Sequence, residues 1–348
     1  MKKHIYLIDY LKAVSILMVI ITHYAWEDKI NAWFLFGINM AVPIFMLVSG
    51  YNFSASNLRK TGGKLKEMYD YKVLFPKIIR FTRPFACIFV LEIILKMIKG
   101  EKYSLADIAL RFFEGGYGPG SYYYPIMMQL LLVFPIIYLL VSKLKWIGVL
   151  LAAQMNFVYE VVIHRAEVEV EDYRLMVFRY LFYIALGCYL FFYLKDKIPK
   201  IVLLLMMAVG SGYLVAVYYF DYEPRVFTYW TRTCMVTALY IFPVIYYCFR
   251  HYMDFKISGK IGEALSEIGK ASYHIFLVQM VYYHFEFGAI FGQLAVPLQV
   301  IGNVLFCLTV GYLFYYLENR GISGWKEGIF TYPQINCVNF VKNKGNVS

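Results

Sequence analysis

Ten apolar stretches of about 17 to 25 residues recur along this 348-residue chain, the length a helix needs to cross the hydrocarbon core of a bilayer. They lie at roughly 6–26, 33–53, 78–98, 122–141, 147–163, 173–193, 201–220, 232–249, 271–287 and 294–318. A backbone in lipid must satisfy its own hydrogen bonds, so such stretches predict membrane-spanning helices. Composition agrees: 61% of the residues are hydrophobic and the mean hydropathy is +0.56, more apolar surface than a water-soluble fold buries. The expected fold is all-α, a polytopic transmembrane bundle of about ten helices. One domain is expected over residues 1–320, with a short polar tail over 321–348. Asp9 and Lys12 interrupt the first apolar run and no small-residue cleavage site follows, so the first helix is expected to be retained.

The formal charge of +11 does not point to nucleic acid, because the basic residues alternate with the apolar stretches. Lys and Arg concentrate in the 54–77 and 250–270 loops, at Lys143, Lys145, Lys195, Lys197 and Lys200, and in the tail. Glu167, Glu169, Glu171 and Asp172 crowd an intervening loop. The positive-inside rule then places both termini in the cytoplasm. Five of the six cysteines sit inside apolar stretches with no CxxC among them, and are expected to be reduced packing residues.

The first stretch carries charge where charge is expensive. Asp9, Lys12, Ile16, Val19 and His23 share one helical stripe, and Lys12 and His23 differ by only about 20° around the axis and about 16 Å along it. Ionisable groups at membrane depth face a bundle interior or a wet cavity and mark function. Lys12 is expected to pair with Asp9 one turn earlier. Arg80 and Arg83, three apart after a basic loop, present a guanidinium face near the same level. With Lys12 they could hold the phosphates of a nucleotide, or contact anionic lipid.

Between residues 100 and 121 an amphipathic patch, Leu105 to Phe113, leads to the glycine-rich run 115–120. This run lacks the Gly-Lys-Ser/Thr ending of a phosphate loop and reads as a flexible turn or lid. Tyr122, Tyr124 and Gln129 beyond it could line a sugar pocket or form an interfacial belt. Ser49 and Gly50 read as a close helix crossing. Glu92 and Lys96, four apart, are expected to neutralise each other. Glu160, Arg179, Arg232, His274, His284 and Glu286 are further polar residues within or beside the apolar stretches. No HExxH arrangement and no Gly-x-Ser-x-Gly elbow occurs, so neither a metal site nor a hydrolase-type serine is expected.

Several short motifs, in order, resemble those of membrane acyltransferase family 3, which includes many bacterial polysaccharide O-acetyltransferases. Asp9, Lys12 and His23 are similar to its Asp-x-x-basic element followed by His; Ser49-Gly50-Tyr51 to its Ser-Gly-aromatic element; Arg80 and Arg83 to its Arg-x-x-Arg pair. Tyr122 to Gln129 resembles its aromatic-Pro helix start, and Ser272-Tyr273-His274-Ile275-Phe276-Leu277 its Ser-Tyr-x-Ile-aromatic-Leu helix. Two positions depart: Lys12 stands where the family usually has Arg, and Gln279 where it usually has His. Gln279 cannot exchange protons, so no acid-base role survives there.

The resemblance implies an integral O-acyltransferase of a bacterial cytoplasmic membrane, moving an acyl group, most simply acetyl, from acyl-CoA to a hydroxyl of a cell-surface glycan or lipid-linked precursor. His23 would be the general base, Lys12, Arg80 and Arg83 the CoA-phosphate contacts, and Tyr122, Tyr124 and Gln129 the acceptor contacts. Asp9, Ser49, Gly50, Ser272 and Tyr273 would support them. Acyl-CoA would be a substrate rather than a resident cofactor, with no metal and no nucleic acid, membrane lipids around the bundle, and a homo-oligomer left open. A related membrane domain in vancomycin-resistance serine racemases is associated with serine uptake, which supplies the rival reading, a small-solute transporter on the same bundle.

Overall fold

The structure is a computed structural model that describes residues 4–24, 37, 39–227 and 229–323, with backbone alone at 320–323. Among the described residues it is helical and contains no strand. The longer helices are α1 (Tyr6–Thr22), α2 (Ala41–Thr61), α3 (Tyr71–Ile98), α4 (Leu105–Phe113), α5 (Tyr123–Leu144) and α6 (Trp146–Arg165). After them come α7 (Leu181–Tyr193), α8 (Lys200–Tyr219), α9 (Ala238–Tyr252), α10 (Gly259–His284) and α11 (Val296–Ser323). Among the described residues, five spans are long and apolar enough to cross a membrane: α5, α6, α8, the stretch Thr231–Tyr252 that contains α9, and Val296–Asn319 of α11. The described parts of the other expected stretches are largely helical, but α1 and α7 are short and α2, α3 and α10 carry charge, while residues 25, 26, 33–36 and 38 of the first two stretches lie outside the described residues.

Where the boundaries move, local chemistry accounts for it. α3 starts at Tyr71, seven residues before its apolar stretch, because the Asp70 side chain accepts the Lys72 N–H at 2.8 Å and caps the helix there. α10 starts at Gly259, twelve residues early, and the extra turns carry the charges of a solvated helix end. α4 fits its predicted range, closed by a reciprocal Ser104–Asp107 capping box. The expected tail lies almost wholly outside the described residues, and α11 runs to Ser323.

Small residues decide which helices touch. A Cβ on Gly50 would run into the Ile184 carbonyl, and one on Gly187 into the Leu47 carbonyl, so α2 and α7 cross at backbone contact. Gly269 does the same for α10 against the backbone of Asp9 in α1. Two hydrophobic clusters result, one centred on α2, α5, α7 and α9, the other on α1, α3 and α10. Val42, Phe81 and Tyr123 pack against both. The seam they occupy is where the polar residues gather.

Candidate active site

His23 caps the end of α1 and opens into a cavity of about 530 Å³ at the upper end of the seam. Val19 and Thr22 of the same helix line it, with Asn39, Tyr122, Tyr180, Trp230, Arg232 and Phe276. The His23 ring packs 5.8 Å from that of Tyr283, whose hydroxyl donates to the Ile20 carbonyl at 2.7 Å and holds the end of α1 against α10. Among the described residues no side chain hydrogen-bonds to the His23 ring, and the residue borders the cavity. An imidazole so placed can take a proton from a bound hydroxyl.

Lys12, about three turns down the same stripe, belongs to a second cluster. It lies in electrostatic reach of Arg80 and, less strongly, of Asp9. Arg80 is in turn coupled to Lys60, and Lys60 to Arg59 and Lys77. Lys77 donates to the Asn57 Oδ1 at 2.5 Å. Lys60 and Lys77 were invisible as site residues in the sequence, where they read as ordinary members of a basic loop. A run of like charges held this close together, most of them exposed, is unfavourable by itself and fits an anionic ligand with several phosphates.

The expected Asp9–Lys12 pair is replaced by other partners. The Asp9 carboxylate accepts from the Ser266 hydroxyl at 2.8 Å and pairs with His4 at 2.5 Å, because the Gly269 crossing brings α10 against this turn of α1. Arg83 meets Glu318 of α11 at 3.7 Å. The same carboxylate binds His274.

Tyr123 joins the two clusters. It hydrogen-bonds to Ser49, lies within reach of the Arg80 charge, and packs its ring against Phe276 at 5.0 Å and Tyr273 at 6.0 Å. Phe276 is part of the cavity wall. Tyr273 is fixed by donating its hydroxyl to the Phe81 carbonyl at 3.0 Å, and the neighbouring Ser272 is buried. One aromatic layer therefore separates the cation cluster from the His23 cavity.

Of the three expected acceptor contacts, Tyr122 lines the cavity, with its ring 4.9 Å from Trp230. Tyr124 stacks on Phe85 at 3.9 Å and meets the Thr82 hydroxyl at 3.1 Å, on the α3 side of its helix. Gln129 is engaged at both ends of its amide, donating to the Leu175 carbonyl at 2.7 Å and accepting the Val177 N–H at 3.0 Å. It thereby fixes the short turn Val177–Tyr180 that carries Tyr180 into the wall.

The glycine-rich run is packed rather than loose. Glu92 accepts the N–H groups of Tyr117 and Gly118, and Gly118 lies so close to Met280 of α10 that no Cβ fits. Gln279 donates to the Pro119 carbonyl at 3.0 Å. Lys96, released from Glu92, binds both oxygens of Glu101 at 2.9 Å. Tyr103 and Lys96 together hold the exposed Glu101 carboxyl below its ordinary range.

A helical membrane protein with a charged seam and an aromatic cavity is the class that fold and site define. A family model described as an acyltransferase domain, that of membrane acyltransferase family 3, matches residues 5–323, and the chain belongs to this family. It is a membrane acyltransferase. No curated protein and no solved structure matches the chain.

Proposed function

We propose that this enzyme is an O-acyltransferase with about ten spans and both termini cytoplasmic, working in a bacterial cytoplasmic membrane on cytoplasmic acyl-CoA, with acetyl-CoA the simplest donor. Lys12 and Arg80, supported by Lys60 and Lys77, hold the phosphates. The pantetheine arm runs up the α1 stripe past Tyr123, a path of about 16 Å from Lys12 to His23. The acceptor, a glycan or lipid-linked saccharide, enters the cavity from the opposite side. His23 takes the proton of its hydroxyl as the oxygen attacks the thioester carbonyl. The tetrahedral intermediate collapses by breaking the C–S bond, and the CoA thiolate is protonated as it leaves. An ester forms and a thioester is consumed.

The observation that carries this reading is the placement of His23 in a solute-sized cavity and of Lys12 and Arg80 in a cation cluster, at two ends of one helical stripe. Labelled acetyl-CoA and a set of glycan acceptors supplied to purified wild type and His23→Ala test it. Transfer by the wild type, falling by about 10² to 10⁴-fold in a folded variant that still binds acyl-CoA, is the expected outcome. Full transfer by His23→Ala removes the base. Solute uptake into liposomes with neither transfer nor acyl-CoA hydrolysis contradicts the O-acyltransferase reading.

A further inference from the structure

We infer that the His23 cavity selects a saccharide bearing an acidic group, a carboxylate or a phosphate, close to the hydroxyl that is acylated. This rests on the acyl-transfer reading for the hydroxyl, but the evidence for the acidic group is separate. The aromatic rings of Tyr122, Tyr180 and Trp230 line the wall, and such rings suit the C–H face of a sugar. Among its polar residues, Thr22, Asn39 and Thr233 donate to the Met18 carbonyl at 2.7 Å, the Tyr218 hydroxyl at 2.6 Å and the Trp230 carbonyl at 3.4 Å, so what they present to a sugar's hydroxyls is acceptor oxygen.

The charge of the wall is one-sided. Arg232 lines the cavity with its guanidinium 4.7 Å from the Tyr218 ring, and among the described lining residues there is no carboxylate. Directly behind the wall stands Arg179, only 2% exposed, on the faces of Trp230 at 4.0 Å and Tyr180 at 4.6 Å. Both terminal nitrogens of Arg179 lack a hydrogen-bond partner, an expensive state for a buried guanidinium. Glu160 lies within its electrostatic range, yet its carboxylate accepts from the Tyr173 hydroxyl at 3.0 Å instead. Among the described residues, the charges at the wall itself are thus guanidiniums, a surrounding that favours an anion.

Geometry adds direction to this field. Arg232 can reach a carboxylate or phosphate with a planar two-nitrogen fork, and Arg179 strengthens that contact through the aromatic rings it underlies. An acidic group held at Arg232 anchors the sugar while a neighbouring hydroxyl meets His23 across the same cavity. A neutral sugar keeps the stacking and loses the anchor.

Binding of three probes to the purified protein without acyl donor, read by calorimetry, tests the inference: methyl glucoside, methyl glucuronide and glucose 1-phosphate. At least one acidic probe is expected to bind about tenfold or more tighter than the neutral one, the usual worth of a charge-assisted contact, and the two acidic arms distinguish carboxylate from phosphate. Arg232→Gln is expected to abolish most of that advantage and Arg232→Lys to keep part of it. The Arg232 variants decide the matter even if the buried Arg179→Gln does not fold. No acidic advantage in the wild type, absence of binding by every probe included, overturns the inference, as does an advantage that survives in Arg232→Gln. Acidic binding without acyl transfer would instead count against the proposed reaction and leave this subsite standing. Equal acylation of neutral and acidic sugars would do the reverse.

Discussion

Two kinds of long helix stand apart among the described residues of this protein. α5, α6, α8 and α11 are long and apolar, and only 22% of the α8 span and 17% of the α11 span are buried. Their outward positions, such as Leu204 on α8 and Leu305 on α11, need only be apolar. α1, α2, α3 and α10 carry Asp9, Asn57, Glu92, Ser266, His274 and Gln279 among their buried residues, and the first three also bear the cations of the site. The contrast teaches that the least buried spans are apolar throughout, whereas the helices whose hydropathy is interrupted pack their polar residues inward, where the proposed donor path runs.

The largest effect separating the two classes should come from their crossings. Gly187→Val places side-chain atoms against the Leu47 carbonyl and should prevent stable assembly, seen as aggregation or loss of the monodisperse peak in detergent. Gly212→Ala on α8, where a Cβ meets nothing within 4 Å, should stay within about 0.5 kcal/mol of wild type. Equal tolerance at both positions would erase the distinction.

The cation cluster sharpens the comparison next. Arg80→Ala should weaken acyl-CoA binding by about 1.5 to 3 kcal/mol in equilibrium measurements. Arg83→Ala should cost less, because Arg83 already pairs with Glu318, and Lys12→Arg should be tolerated or bind more tightly. Equal losses at 80 and 83 would mean that the Glu318 pair opens to the ligand.

Smaller effects follow from the supporting contacts. Ser266→Ala removes the hydroxyl donor to Asp9 and should destabilise the folded protein by about 1 kcal/mol in a denaturant or thermal series. Leu305→Val on the outward face of α11 should be nearly silent in the same series.

How far the sequence carried these features follows from which interactions are local. Apolar runs announce helices because length and hydropathy are properties of a single segment, and the Ser104–Asp107 box announces α4 for the same reason. The Lys12–His23 stripe was legible because helical geometry fixes it. Asp9 and Ser266 were not, since their contact joins residues 257 apart through the Gly269 crossing. Tyr124 left the expected acceptor set because two residues along a helix turn a side chain about 200° from Tyr122. Gln129 lies about two turns beyond Tyr122 and meets a loop that no local pattern could place beside it. Lys60 and Lys77 carried no signal distinguishing them from topology charges. Arg232 did stand out as a charge in an apolar stretch, but only the fold gives it a cavity.

The central claim is that a single path joins the cation cluster to His23, so donor and acceptor approach from opposite faces. Sealed proteoliposomes of one fixed orientation test it most directly, with labelled acetyl-CoA on one face and the acceptor glycan on the other. The account predicts label on the acceptor when acetyl-CoA is on the Lys12–Arg80 face and the glycan on the His23 face, and none when the two are exchanged. Efficient transfer with both substrates confined to the His23 face would contradict it.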